Sequence, residues 1–338
     1  MGSYVVKNEI ESKLKNIPQH PLNSVSVNYK KELLENLNEL SKGEILKSTK
    51  NLNALTNRLQ LSNFNEKQYY QGISEIVFEV FPTKTQNIFF TEKKLRSDRN
   101  TDVDIQIVKN GYNFNFEIKT PEFKENNADT FYINTAFRSV SKESLEKAKV
   151  TLQDEIITPI LIKSDKYENY EFTKINDNKM LDYLKSAQEK FVYSDSKTLN
   201  VLVVSVCTNE MQDYWDYLFN SFTGLFTDST YDNLGNYDKV DIVLLTNIVS
   251  GHLGEIKGAW DLKNYCNLFF PNPYCEKFST DLWKELYCEL LNLIPNHTYE
   301  FDYFLMELEK EMNKAGINLH GLIFDSFISE KFPEFSSI

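Results

Sequence analysis

The chain has 338 residues, 41% apolar and 14% aromatic, enough to bury one large core or two ordinary ones. Its formal charge of −12 works against a surface devoted to binding phosphates, which wants Lys and Arg, although charge can be segregated and a bound metal offsets acid locally. No leader-like pattern opens the chain and no apolar run is long enough to span a bilayer. Cys207, Cys266, Cys275 and Cys288 form no CxxC pair, and His20, His252, His297 and His320 complete no zinc pattern. The expectation is a soluble cytoplasmic protein with buried free thiols, in which any metal is held by oxygen ligands.

In chain order, residues 1–60 read as helical. Leu33, Leu34, Leu37 and Leu40 recur at three- and four-residue spacing in Asn28–Leu40, and Leu46, Leu52, Leu55 and Leu59 continue the pattern over Ile45–Leu59. A helix is expected over Glu66–Phe81, ending before Pro82. A short apolar run at Asn87–Phe90 follows, then a basic loop bearing Lys93, Lys94, Arg96 and Arg99, then a hairpin over Asp102–Lys119. By itself such a loop is ordinarily a solvated one. Beyond the hairpin come a polar loop (Pro121–Asp129), a helix over Ser141–Gln153, a strand over Ile156–Ile162, a helix over Met180–Phe191 and a strand over Leu199–Val206. The remainder reads as helix Met211–Phe222, strand Val240–Thr246, and helices Thr280–Leu293 and Tyr299–Asn313. Asp, Asn, Gly and Ser cluster at Thr227–Asn236, which divides the chain into a helical segment 1–64, an α/β core 65–226 and a mostly helical part 227–338. Aromatic-rich stretches such as Tyr214–Phe222 and Trp283–Leu293 keep helical spacing and read as core packing.

Chemistry concentrates in the hairpin. Asn110-Gly111 suits the positive φ of a type I′ turn, so Lys109 should face Tyr112, Ile107 Phe114, Ile105 Phe116 and Val103 Ile118. Every pair on that face is apolar, and a slip by one residue would destroy the match. The other face then carries Gln106 opposite Asn115, Asp104 opposite Glu117, and Asp102 opposite Lys119. Two carboxylates facing each other across an antiparallel pair repel, and such a couple persists when something cationic lies between them. A hard divalent ion, held by one or two carboxylates with waters and a substrate phosphate, meets that need. Lys119 lies on the same face, where it can orient an attacking water or steady charge on phosphorus. A solvated face on which acids and a lysine happen to alternate is the plainer alternative.

An Asp on an apolar strand (Asp104), a turn, and a strand ending Glu117-Ile118-Lys119, preceded by a helix bearing a Glu, resembles the PD-(D/E)xK phosphodiesterase superfamily. The resemblance covers about residues 65–207. It implies a restriction-endonuclease-like α/β core, a mixed central sheet flanked by helices. It also implies hydrolysis of phosphodiesters, mostly of DNA and less often of RNA, by metal-activated water. Mg²⁺ or Mn²⁺ would be held by Asp104, Glu117 and the Ile118 carbonyl, with Lys119 catalytic, Glu75 (or Glu79) from the helix, and Gln188 lining the site. Many relatives serve in restriction or in defence against mobile DNA. The proline that usually precedes the Asp is absent here, and Asp102 competes with Asp104 as ligand. On a helical wheel Glu75 lies nearly opposite the apolar face, so a solvated acid is an alternative for it. Beside such a hairpin the Lys93–Arg99 loop becomes a candidate for backbone phosphates. Cutting two strands calls for two sites, which fits a homodimer or a partner protein, but no residue demonstrates either. A catalytically silent scaffold is the alternative that the acidic charge favours. A small-molecule or ribonucleotide hydrolase ranks lowest, for lack of a nucleotide-cradling Gly-rich loop.

Overall fold

In the computed structural model Asn110 and Gly111 take φ of 53° and 81°, and the hairpin closes in the register their residue types demand. The structure describes residues 8, 10–42, 57–95, 101–122, 142–159, 176–219, 224–226, 230, 235, 237–275 and 280–295. Strands β2 (Val103–Lys109) and β3 (Tyr112–Lys119) pair with Lys109 opposite Tyr112, Ile107 opposite Phe114 and Ile105 opposite Phe116. Strand β1 (Ile88–Lys93) adds antiparallel to β2. Beyond β3 the sheet continues with β4 (Thr198–Ser205), parallel to β3, and β5 (Ile242–Thr246), parallel to β4. Strand β6 (Asn267–Pro271) closes the far edge, antiparallel to β5. The result is one six-stranded mixed sheet in the order β1-β2-β3-β4-β5-β6.

Helices cover both faces of this sheet. Residues in register share a face, so Glu117, Leu202, Val243 and Phe270 form one row, and Ile118, Val203, Leu244 and Phe269 the next row on the opposite face. On the Ile118 face lie α2 (Glu66–Lys84), whose Phe78 ring packs 5.6 Å from Phe116, and α7 (Asp281–Leu293), whose Tyr287 packs on Phe269. On the Glu117 face lie α4 (Asn176–Lys190) and α5 (Met211–Phe219), whose Trp215 stacks on Phe270. Burial on both faces explains why β4 reads as an unbroken apolar run: all its residues are buried. Helix α1 (Val27–Lys42) packs against α2, and α6 (Ile248–Leu253) follows β5 directly.

Several expectations are corrected. Helix α2 does not stop before Pro82 but runs to Lys84. A proline forfeits its own N–H and crowds the carbonyl four residues back, but so near the helix end the turn still closes, Thr85 N–H donating to Phe81 O at 3.1 Å. The described part of the expected strand Ile156–Ile162 is helical, because α3 (Lys142–Thr151) runs on through a π-helical turn at Leu152–Ile157. There the β preference of isoleucine yields to an established helix. Strand β6 and helix α6 were not expected. Asn267–Pro271 is too short, and too lacking in alternation, to announce itself. Not every thiol is buried: Cys266 and Cys275 are, Cys207 is half-buried and Cys288 is exposed, and all four are free. Most of Ile45–Leu59, nearly all of Thr227–Asn236 and the whole of Tyr299–Asn313 lie outside the described residues. Among those described, no helix is long and apolar enough to cross a membrane.

Candidate active site

Much of the polar face of the hairpin is shut off from solvent, although Asp104 and Lys119 each keep 22% of their side chains exposed. Asn115 and Glu117 are buried, and Gln106 nearly so. Unpaired amides would be costly there, and they are paired across three strands. Gln106 Nε2 donates to Asn115 Oδ1 (2.7 Å) and Asn115 Nδ2 to Asn200 Oδ1 (2.9 Å), while Asn200 Nδ2 donates to the Val192 and Lys239 carbonyls. This ladder of amides leads along β3 to Glu117.

At Glu117 the β2–β3 ladder ends. The last cross-strand pair is Ile105 with Phe116, although β3 continues beside β4 to Lys119 opposite Val204. Backbone groups released from a ladder need other partners. Asp104 Oδ2 accepts from Ile118 N (2.6 Å), and the Gln71 amide bridges the next two groups, Nε2 donating to Ile118 O (2.6 Å) and Oε1 accepting from Thr120 N (2.7 Å). The splayed end of the hairpin is thus held open by side chains. The expected direct pairing of Val103 with Ile118, of Asp104 with Glu117 and of Asp102 with Lys119 gives way to this arrangement.

Within that opening the acids and lysines meet. Glu117 is fully buried, and its Oε1 lies 2.7 Å from Lys119 Nζ and 2.6 Å from Lys190 Nζ. Lys190 Nζ also reaches Asp104 Oδ1 at 3.8 Å, so one ammonium sits between the two carboxylates. Among the described residues Glu117 Oε2 is buried with no hydrogen-bond partner, whereas Oε1 meets the two ammoniums. Burial, and next the charge on Glu117, push the Asp104 carboxyl well above the usual range. Burial works against the Lys190 ammonium, but Asp104 and Glu117 outweigh it and raise its pKa.

A second cluster flanks the first along α2. Gln71, Glu75 and Glu79 follow at four-residue spacing, so they line one stripe of the helix. Gln71 Nε2, already on Ile118 O, also donates to Glu75 Oε1 (2.9 Å). Arg58 pairs with Glu75 (2.9 Å), with Glu79 (2.7 Å) and, more loosely, with Glu92 at 3.7 Å. Glu75 is therefore not a solvated acid: its side chain is 16% exposed and shares one arginine with Glu79. Gly72 makes this possible, since a Cβ there would lie 2.2 Å from Arg58 O. The charge of Glu75 is also among the causes that raise Asp104.

Asp104, Glu117, Ile118 and Lys119 are thus brought together, with Glu75 one hydrogen-bonded link away through Gln71. Gln188 is not. Its Nε2 donates to Asp238 Oδ1 (2.6 Å) and its Oε1 accepts from Lys239 N (2.8 Å), which fixes the loop before β5. The residue that α4 sends to the carboxylates is Lys190, two positions later at the helix end, where a new side-chain direction begins. Of the basic loop, Lys93 and Lys94 are described, Lys93 Nζ lying 4.7 Å over the Phe90 ring, whereas Arg96 and Arg99 fall outside the described residues. Lys190, Arg58 and Gln71 were missed from sequence. Only a basic residue in the last turn of a helix distinguishes Lys190, and many helices have one.

Among the described residues no group of three or more His, Cys, Asp or Glu side chains is placed to hold a metal ion. The donor set expected here has two carboxylates and a carbonyl, and its chemistry suits a hard divalent ion that keeps several waters. The unpartnered Glu117 Oε2 is a donor in want of such a partner. Comparison of the chain with family models, with curated proteins and with solved structures finds no match.

Proposed function

We propose that this protein is a metal-dependent phosphodiesterase with a restriction-endonuclease-like core, cutting DNA in restriction or in defence against mobile DNA. The observation that carries the reading is the meeting of Asp104, Glu117 and Lys119 where the β2–β3 ladder opens. The succession of α2, β1, β2 and β3 antiparallel in turn, then α4 and a parallel β4, supports it as the frame in which that trio is expected.

Asp104, Glu117 and the Ile118 carbonyl would hold Mg²⁺ or Mn²⁺, Glu117 through its free Oε2 and Ile118 through the lone pair that Gln71 leaves open. The ion, when bound, supplies Lewis acidity and a water of lowered pKa. The chain's own part is positional. Asp104 and Gln71 hold the strand end open, and Glu117 orients Lys119, whose ammonium faces the attacking water or the charge growing on phosphorus. Glu75, fixed by Arg58 and Gln71, keeps the region acidic beside the metal ligands. Lys93 and Lys94, and with them Arg96 and Arg99, are candidates for backbone phosphates.

A second reading is a catalytically silent scaffold, favoured by one observation: the lysines already neutralise Glu117 without any metal. Incubation with plasmid and linear DNA in Mg²⁺, Mn²⁺ or EDTA separates the two. The enzyme nicks only with metal, and Lys119→Ala loses about a hundredfold or more of that activity while melting within a few degrees of the wild type. Well-folded protein that never cuts DNA or RNA with either ion leaves the scaffold.

A further inference from the structure

Two lysines crowd one oxygen of Glu117 while the other, among the described residues, meets none. Lys119 is fixed by its place on β3, two residues from Glu117, but Lys190 comes from the end of α4 on a four-carbon stem. Its side chain is 22% exposed, so a path to solvent is open to it. Its ammonium lies between Glu117 Oε1 and Asp104 Oδ1, the position from which any cation would neutralise both acids. Glu117 is fully buried, so the couple cannot rely on water to screen its charge.

We propose that Lys190 is a built-in counter-ion that occupies the carboxylate couple when no divalent cation is bound and withdraws toward solvent when one enters. Ammonium and metal compete for the same two carboxylates, so the lysine stabilises the metal-free fold and weakens metal binding. This rests on the metal-site reading above. Lys190 is in this account a positioning residue and not one that touches substrate.

The test uses the full chain, stripped of metal, as wild type and as Lys190→Met. Mn²⁺ binding is measured by calorimetry and melting is followed in EDTA and in Mn²⁺, with no DNA present. The variant is expected to bind Mn²⁺ about tenfold more tightly or better, to melt lower than wild type in EDTA, and to gain more from added Mn²⁺. Equal or weaker Mn²⁺ binding by the variant overturns the counter-ion role and leaves the metal site standing. Absence of Mn²⁺ binding in both proteins overturns the two together. Should Lys190→Met not fold, wild type alone decides: acylation of Lys190 by an amine reagent, mapped by mass spectrometry, should rise severalfold when Mn²⁺ is added. Unchanged or reduced acylation overturns the proposal.

Discussion

Glu79 is 3% exposed and contacts Arg58 at 2.7 Å, yet burial outweighs the arginine and pushes its carboxyl up to about 7. A carboxyl whose folded pKa lies above its unfolded one stabilises the fold fully below the unfolded value, and that contribution is lost as pH rises through the folded value. Between about pH 4.5 and pH 7–8 the wild type should therefore lose on the order of 3 kcal/mol relative to Glu79→Gln. Urea unfolding of the two proteins at pH 5 and pH 8 measures this, and parallel pH profiles would refute it. The acid-rich surroundings of Arg58 make it equally exacting. Arg58→Met strands Glu75 and Glu79 in a nearly dry site and should destabilise the fold by about 3–5 kcal/mol, read from the same unfolding curves. Arg58 belongs to no periodic pattern, so its pairing with Glu79 was not legible: the wheel showed Glu75 away from the apolar stripe but not what would meet it there.

At the scale of elements, α2 runs tight against the segment carrying Arg58. Gly72→Ala sets a Cβ against the Arg58 backbone, where no flexible side chain can give way. It should cost about 1–3 kcal/mol by overpacking. On the proposed function, metal-dependent cleavage should fall further than that loss of stability explains, because α2 also carries Gln71 and Glu75 toward β3. Thermal melts and cleavage assays on one preparation separate the effects, and a variant as stable as wild type would show that α2 can shift. The hairpin itself was legible almost to the residue. Asn110-Gly111, the alternation on either side and the apolar matching fix its register, all of it local chemistry. What covers its polar face was left open, since alternation cannot tell a face covered by α4 from one open to water.

At the scale of the whole molecule, β5 and β6 extend the sheet that begins with β1, and the hairpin tip is strapped to α7. Lys109 Nζ donates to Asn292 O (2.7 Å), Asn110 Nδ2 to Glu289 Oε2 (3.0 Å), and the Tyr112 hydroxyl to Glu285. A continuous sheet tied at both ends should unfold as one unit. Trp215, Trp260 and Trp283 all lie beyond β4, and although Trp260 packs on Tyr29 of α1, tryptophan fluorescence weights the later half. Its midpoint in urea should coincide with that of far-ultraviolet circular dichroism. Two separated transitions would instead mark a boundary near 227.

The sequence by itself determined the turn, the register, the alternation that sets Asp104, Glu117 and Lys119 on one polar face, and most of the helices, because these follow from a residue's own conformational preference and that of its near neighbours. The tertiary structure alone decided that the polar face is buried, that β3 lies parallel to β4, that Asp104 caps Ile118 N–H instead of facing Glu117, and that Lys190 and Arg58 are the cations that answer the acids. Those partners are distant along the chain, and their meeting depends on how whole layers pack and which buried charges then require neutralising. No local pattern of residues encodes that.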